Sequence, residues 1–119
     1  MSIWTHVVGN IRVDGIPNIT GTIEGIKAIL GKICTFEDWE EDTILPLGSE
    51  GGLQYEIIEY GAGLPWVSIP IWGDLRDYDD VEAIKKWWFE TLKKLKSIRD
   101  AVIVISVEGQ EPIVLTNKL

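Results

Sequence analysis

Residues 3–13 alternate with a period of two. Ile3, Val7, Ile11 and Val13 share one face with Thr5 and Gly9 between them, while Trp4, His6, Val8, Asn10 and Arg12 share the other. Successive side chains of an extended chain point to opposite faces, so this period predicts a strand, ended by the turn residues Asp14-Gly15-Ile16-Pro17-Asn18. The period then changes. Ile23, Ile26, Ile29, Leu30 and Ile33 predict a helix over 22–34, with Thr20 or Thr22 as its cap. Gly25 and Gly31 weaken it by up to about 1 kcal/mol each, so packing has to hold it. Alternation returns at 53–60, where Leu53, Tyr55 and Ile57 oppose Gln54, Glu56, Ile58 and Tyr60. After the turn 61–65 it continues at 66–72, with Val67, Ile69 and Ile71 inward and Trp66, Ser68, Pro70 and Trp72 outward. Pro70 cannot donate to a ladder and predicts an edge position or a bulge. Val81, Ile84, Trp88, Leu92, Leu95 and Ile98 trace a second helical stripe, capped by Asp79 or Asp80, with Glu82 three residues after Asp79 as in a capping box. A core strand over 101–107 and a short Ile113–Leu115 segment close the chain.

The order β-α-β-β-α-β plus a tail strand predicts a single α+β domain over residues 1–119. Its expected architecture is ferredoxin-like βαββαβ: an antiparallel sheet, both helices on one face, and a short extra C-terminal strand. Such an arrangement leaves the other sheet face uncovered. The strand phasing places Trp4, His6, Val8, Ile58, Tyr60, Trp66, Trp72, Val102 and Val104 there. Three buried tryptophans would account for roughly 450–750 Å², against about 300–600 Å² for the largest apolar patch on a typical monomer. A covering second subunit, ligand or partner is therefore expected. Trp87 and Trp88 are adjacent, so only Trp88 is expected in the core, with Trp87 or Phe89 packing against the connector over 35–52 or a neighbouring subunit.

Charge refines this picture. Nineteen acids against eleven bases give a net charge of −8, which disfavours binding to nucleic-acid backbones. No base occurs between Lys32 and Arg76, whereas Lys85, Lys86, Lys93, Lys94, Lys96 and Arg99 cluster later. The run Glu37, Asp38, Glu40, Glu41 and Asp42 reads as a solvated acidic loop that could dock on a basic partner. It lacks the alternating acids and central glycine of a calcium loop. No apolar run approaches the roughly 20 residues of a membrane span. Met1 to His6 lack the basic patch and apolar stretch of a secretory signal, and the lone Cys34 allows no internal disulfide. A cytoplasmic setting without membrane contact is the expectation.

Candidate chemistry is sparse. His6 is the single histidine and would need an orienting carboxylate to act as a base, for which Glu56 or Glu59 are candidates. Gly48-Ser49-Glu50-Gly51-Gly52 could form a backbone nest for an anion, but it lacks the lysine and hydroxyl residue of a phosphate loop and precedes a strand. In Gly73–Asp80, Arg76 is expected to pair with Asp74 or Asp77 in a loop before the second helix. The phrases Leu47-Gly48-Ser49-Glu50-Gly51-Gly52-Leu53 and Gly73-Asp74-Leu75-Arg76-Asp77-Tyr78 resemble short uncharacterised proteins of bacteriophages and prophages. That resemblance implies an accessory role on host machinery and transfers no functional residue. The expectation is a non-enzymatic binding module, without cofactor, metal or catalytic residue, that forms a homodimer or larger homo-oligomer. Its contact face comprises Trp4, His6, Arg12, Tyr60, Trp66 and Trp72. One alternative is an acidic inhibitor docking on a basic nucleic-acid-binding protein. Another is a small-molecule binder or enzyme with an aromatic cleft around His6.

Overall fold

A computed structural model describes residues 2–14, 23–34, 44–59, 66–95 and 97–118. Among them the chain forms β1 (Trp4–Asp14), α1 (Ile23–Leu30), β2 (Gln54–Tyr55), β3 (Ile58–Glu59), β4 (Trp66–Arg76), α2 (Val81–Lys94), β5 (Ile98–Val107) and β6 (Ile113–Thr116). The strands build one antiparallel sheet in the order β2-β4-β1-β5-β6, with β3 also paired to β4. The fold is thus α+β, but its element order is not the expected βαββαβ.

Pro70 explains part of the difference. β2 and β3 continue one register against β4, since Gln54 pairs with Trp72 and Ile58 with Ser68. Between them the Glu56 N–H donates to the Pro70 carbonyl at 3.2 Å. The reciprocal bond is missing because proline has no N–H. One edge strand is thereby read as two short pieces. Pro70 itself is not on an edge strand: β4 lies between β1 and the β2/β3 edge, and the nitrogen of Pro70 faces that edge. The tail strand β6 pairs beside β5.

One core holds the fold together. Val7, Ile11 and Val13 of β1, Ile69, Ile71 and Leu75 of β4, and Ile103 and Ile105 of β5 pack with Ile26 and Leu30 of α1 and Ile84, Trp88 and Leu92 of α2. Both helices therefore serve one sheet face. Thr5, fully buried among these apolar groups, donates its hydroxyl to the Tyr78 carbonyl. α1 is shorter than the 22–34 expected: the chain leaves the helix at Gly31 (φ 82), whose carbonyl accepts the Tyr55 hydroxyl at 2.7 Å, and Ile33 is left exposed. The expected capping residues Thr20 and Thr22 lie outside the described residues.

α2 begins with Asp80, whose carboxylate accepts the Ala83 N–H at 3.1 Å, so Glu82 does not complete a capping box. It ends at Lys94 rather than at residue 98. Leu95 is already extended, Ser97 takes φ 59, and Ile98 opens β5. Trp87 and Trp88 are both buried, Trp88 in the main core as expected and Trp87 beside the connector, one of the two places expected for it or Phe89. Ile84, Trp88 and Leu92 form the stripe of the main core, while Ala83, Trp87 and Thr91, also four residues apart, share a cleft with Ile44. Two adjacent stripes of one helix are thus covered, one by the sheet and one by the end of the connector. The Trp88 indole N–H donates to the Thr116 carbonyl at 3.1 Å, tying β6 to the core.

Candidate functional site

The uncovered face follows from the register. β1 positions 4, 6, 8, 10 and 12 point away from the helices, and pairing aligns them into rows that cross the sheet. The central row reads Gln54, Trp72, Val8, Val104, Val114 over β2, β4, β1, β5 and β6. The next reads Pro70, Asn10, Val102, Thr116. Val8 is 59% exposed, Val114 60%, Val102 42% and Trp72 38%. Over β4, β1, β5 and β6 these two rows carry no charge, and at the β2/β3 edge the register places Glu56 beside Pro70. Val114 was missed by the sequence reading, although its place between the half-buried Ile113 and Leu115 is a signal of the same kind as in β1.

The tryptophans differ from one another. Trp72 is the most open of those expected on the face, whereas Trp4 and Trp66 are half-buried. The Arg99 guanidinium lies 5.3 Å from the centroid of the Trp66 ring and donates to Asp14 at 3.0 Å, which caps that aromatic with a cation. The open face is consequently more aliphatic than its sequence suggested. Tyr60 and the acidic run Glu37, Asp38, Glu40, Glu41 and Asp42 lie outside the described residues.

Charged groups flank the apolar rows. On one side His6 pairs in register with Asp74 of β4 and Ser106 of β5. Its Nδ1 is 2.6 Å from Asp74 Oδ1, and Nε2 is 3.9 Å from Glu108 Oε2. The carboxylate partner is therefore Asp74, and not Glu56 or Glu59, which lie on the β2/β3 edge. Asp74 belongs to β4 and not to a loop. Such a pair orients the imidazole with Nδ1 donating and leaves Nε2 as an acceptor. Among the described hydrogen bonds none joins Ser106 to His6, so the arrangement orients a base without presenting it a nucleophile.

On the other side Arg12 sits 3.3 Å from Asp100, and Ser68, between Ile58 and Arg12 in its row, is buried with its hydroxyl unpartnered. Arg76 pairs with Glu50 at 2.6 Å and Asp77 at 3.9 Å rather than with Asp74. The glycine-rich loop is a clamp on the end of β4. The Ser49 N–H donates to the Arg76 carbonyl and the Arg76 N–H to the Glu50 carbonyl, at 2.9 and 3.0 Å, while the Gly48 N–H is spent on the Gly51 carbonyl. These amides are committed to carbonyls and do not converge on an anion.

Among the described residues, clefts also lie away from this face. One, about 540 Å³, is bounded by Ile23, Lys27, Ile33, Tyr55, Glu56 and Ile57. A second, about 390 Å³, adjoins Trp87, whose buried indole N–H has no partner, and a third, about 190 Å³, lies beside Phe89 and Asn117. Among the described residues no three His, Cys, Asp or Glu side chains gather as a metal site, and no helix is long and apolar enough to cross a membrane. The chain matches no protein-family model, no curated protein and no solved structure.

Proposed function

We propose that this chain is a non-enzymatic binding module that self-associates through the open face of its sheet. The reading is carried by the row Trp72, Val8, Val104 and Val114: four apolar side chains contiguous over four strands, on a face that no described element covers. Removing apolar surface from water contributes about 25 cal/mol per Å². Two such faces pack at about 10 Å with interdigitated side chains. A two-fold pair is the commonest closed assembly, and it would put the apolar rows at the centre with charged groups at the rim. The resemblance of two phrases to phage and prophage proteins supports an accessory role on host machinery for the assembled form.

Light scattering across a concentration series tests the reading. The expected mass is twice 13.4 kDa for the natural chain, and one chain for Val8→Lys with unchanged circular dichroism. A natural chain that stays monomeric from micromolar to near-millimolar concentration sinks it.

The contact between His6 and Asp74 favours a second reading, a small-molecule binder using His6 and Arg12. A ligand-library melting screen whose hits survive His6→Ala and Arg12→Ala unchanged would eliminate it.

A further inference from the structure

The open face is polarised along its strands. Its His6 side carries Asp74 and Glu108, with side chains 69% and 49% exposed, and among the described residues no arginine or lysine pairs with either. Arg76, at the same end of β4, is occupied by Glu50 and Asp77. On the far side each acid has a base: Arg12 beside Asp100 and Arg99 beside Asp14. Counting His6 as neutral, the first group carries −2 and the second is balanced. Between them lie two rows that are uncharged over β4, β1, β5 and β6, with Glu56 alone at the β2/β3 edge of the Asn10 row.

We infer that the occupant of this face is a second copy of the chain laid antiparallel, on a two-fold axis that passes between the Val8 and Asn10 rows and runs across the strands. This rests on the self-association reading above and specifies its geometry. Rotation about that axis keeps β4 over β4 and reverses strand direction. The Val8 row then faces the partner's Asn10 row, and Trp72 covers the ring of the partner's Pro70. The His6 row faces the partner's Arg12 row, so Arg12 approaches the opposing Asp74, while Glu108, one row further out beside Trp4, faces the opposing Asp14 and Arg99.

The alternative two-fold axis runs along β1 and keeps the strands parallel. It stacks the His6 rows on each other and gathers both copies of Asp74 and Glu108, four carboxylates, at one edge of a desolvated interface. Like charges juxtaposed in that way are strongly disfavoured. The antiparallel pairing removes this conflict and supplies a guanidinium instead.

The His6, Val8, Asn10 and Arg12 rows hold three, five, five and four side chains. At about 6.8 by 4.8 Å each they cover about 550 Å² per copy, below the ~800 Å² per partner of a standard interface. A moderate, salt-sensitive dimer is expected rather than a permanent one.

Sedimentation velocity on the full chain at low salt tests the geometry, using Arg12→Glu, Asp74→Arg and the double variant. Each single reversal is expected to weaken the dimer about tenfold or more, and the double variant to return to within about threefold of the natural chain. In an equimolar mixture of natural and Arg12→Glu chains, mixed dimers should not be preferred. Preferred mixed dimers would show Arg12 facing Arg12 and overturn the antiparallel geometry. So would dissociation constants unchanged in all three variants while Val8→Lys still breaks the dimer, a result that leaves self-association standing. A monomeric natural chain overturns both. Circular dichroism and melting of each variant separate lost association from lost folding.

Discussion

Replacing Gly51 by alanine asks whether the Gly48–Gly52 loop is a clamp on β4. Gly51 holds φ 72, where an L side chain costs about 1–2 kcal/mol. A Cβ would also lie closer than 3.0 Å to the Asp74 carbonyl oxygen. That oxygen belongs to β4, which at Asp74 is laddered to His6 of β1, so the strand resists displacement and the loop has to lift. Lifting strains the two bonds that join Ser49 and Glu50 to Arg76, each worth about 0.5–1.5 kcal/mol. Together these give about 2–5 kcal/mol of destabilisation. For 119 residues the unfolding entropy is about 250 cal/mol/K, so each kcal/mol lowers the melting temperature by about 4 °C and the total fall is about 8–20 °C. Gly109→Ala isolates the conformational part: Gly109 has φ 81 and nothing within 4 Å of an added Cβ, so a fall of only about 4–8 °C is expected. Differential scanning calorimetry at matched chain concentration measures both, matching being needed because association shifts melting. Equal shifts for the two variants would refute the clamp, since the contact with Asp74 would then contribute nothing.

Trp88→Phe removes the donor to the Thr116 carbonyl, at a cost of about 1–3 kcal/mol. Hydrogen exchange should show the amides of β6 losing protection before those of β1, and uniform loss would contradict the tie. Asp80→Ala removes the side-chain acceptor of the Ala83 N–H and should cost about 1 kcal/mol in denaturant unfolding, with a loss below the error of the fit arguing against the cap. Burial raises the Tyr55 hydroxyl above its usual 10.0, and burial together with the nearby Asp80 charge raises Tyr78. A raised folded value means the neutral phenol is favoured by folding, so this stability is fully present below about pH 10 and is lost as pH climbs through the folded values. Chemical unfolding followed against pH should therefore decline above that point, and less steeply in Tyr55→Phe and Tyr78→Phe. Identical slopes in the variants would exclude the linkage.

The faces of the strands were legible because alternation is local. Ile11 and Ile69 on one side, and Val8 and Trp72 on the other, are assigned by counting in twos. What joins elements was not legible. The pairing of His6 with Asp74 depends on the register of β1 against β4, and Glu56 and Glu59 were equally good candidates until that register was known. The end of α2 was misplaced because Leu95 and Ile98 keep the three-residue spacing of the helical stripe. Only the turn at Ser97 reveals that Ile98 belongs to β5. Pro70 was assigned to an edge or a bulge on a sound rule, but the rule concerns the side on which an N–H is missing. An inner strand can carry proline when that side faces a short outer strand. The burial of Trp87 beside Trp88 needed the cleft at Ile44, a neighbour forty-three residues back along the chain.

Exposed valines alone would not distinguish an interface from an ordinary wet sheet. β-Branched residues suit extended backbone whether or not they are covered, so Val8, Val102 and Val114 could each be present for strand formation. Two features go further. The central row stays apolar from Trp72 through to Val114 on the edge strand, where natural sheets commonly place lysine, proline or an inward charge to discourage association. From β4 across to β6, charge is also excluded from both central rows yet present in the rows on either side, at His6 and Asp74 and at Arg12 and Asp100. Strand propensity acts on each position separately and has no means of producing that order across strands. A covered centre with a charged border does, because only a shared buried surface couples Trp72 of β4 to Val114 of β6, three strands away.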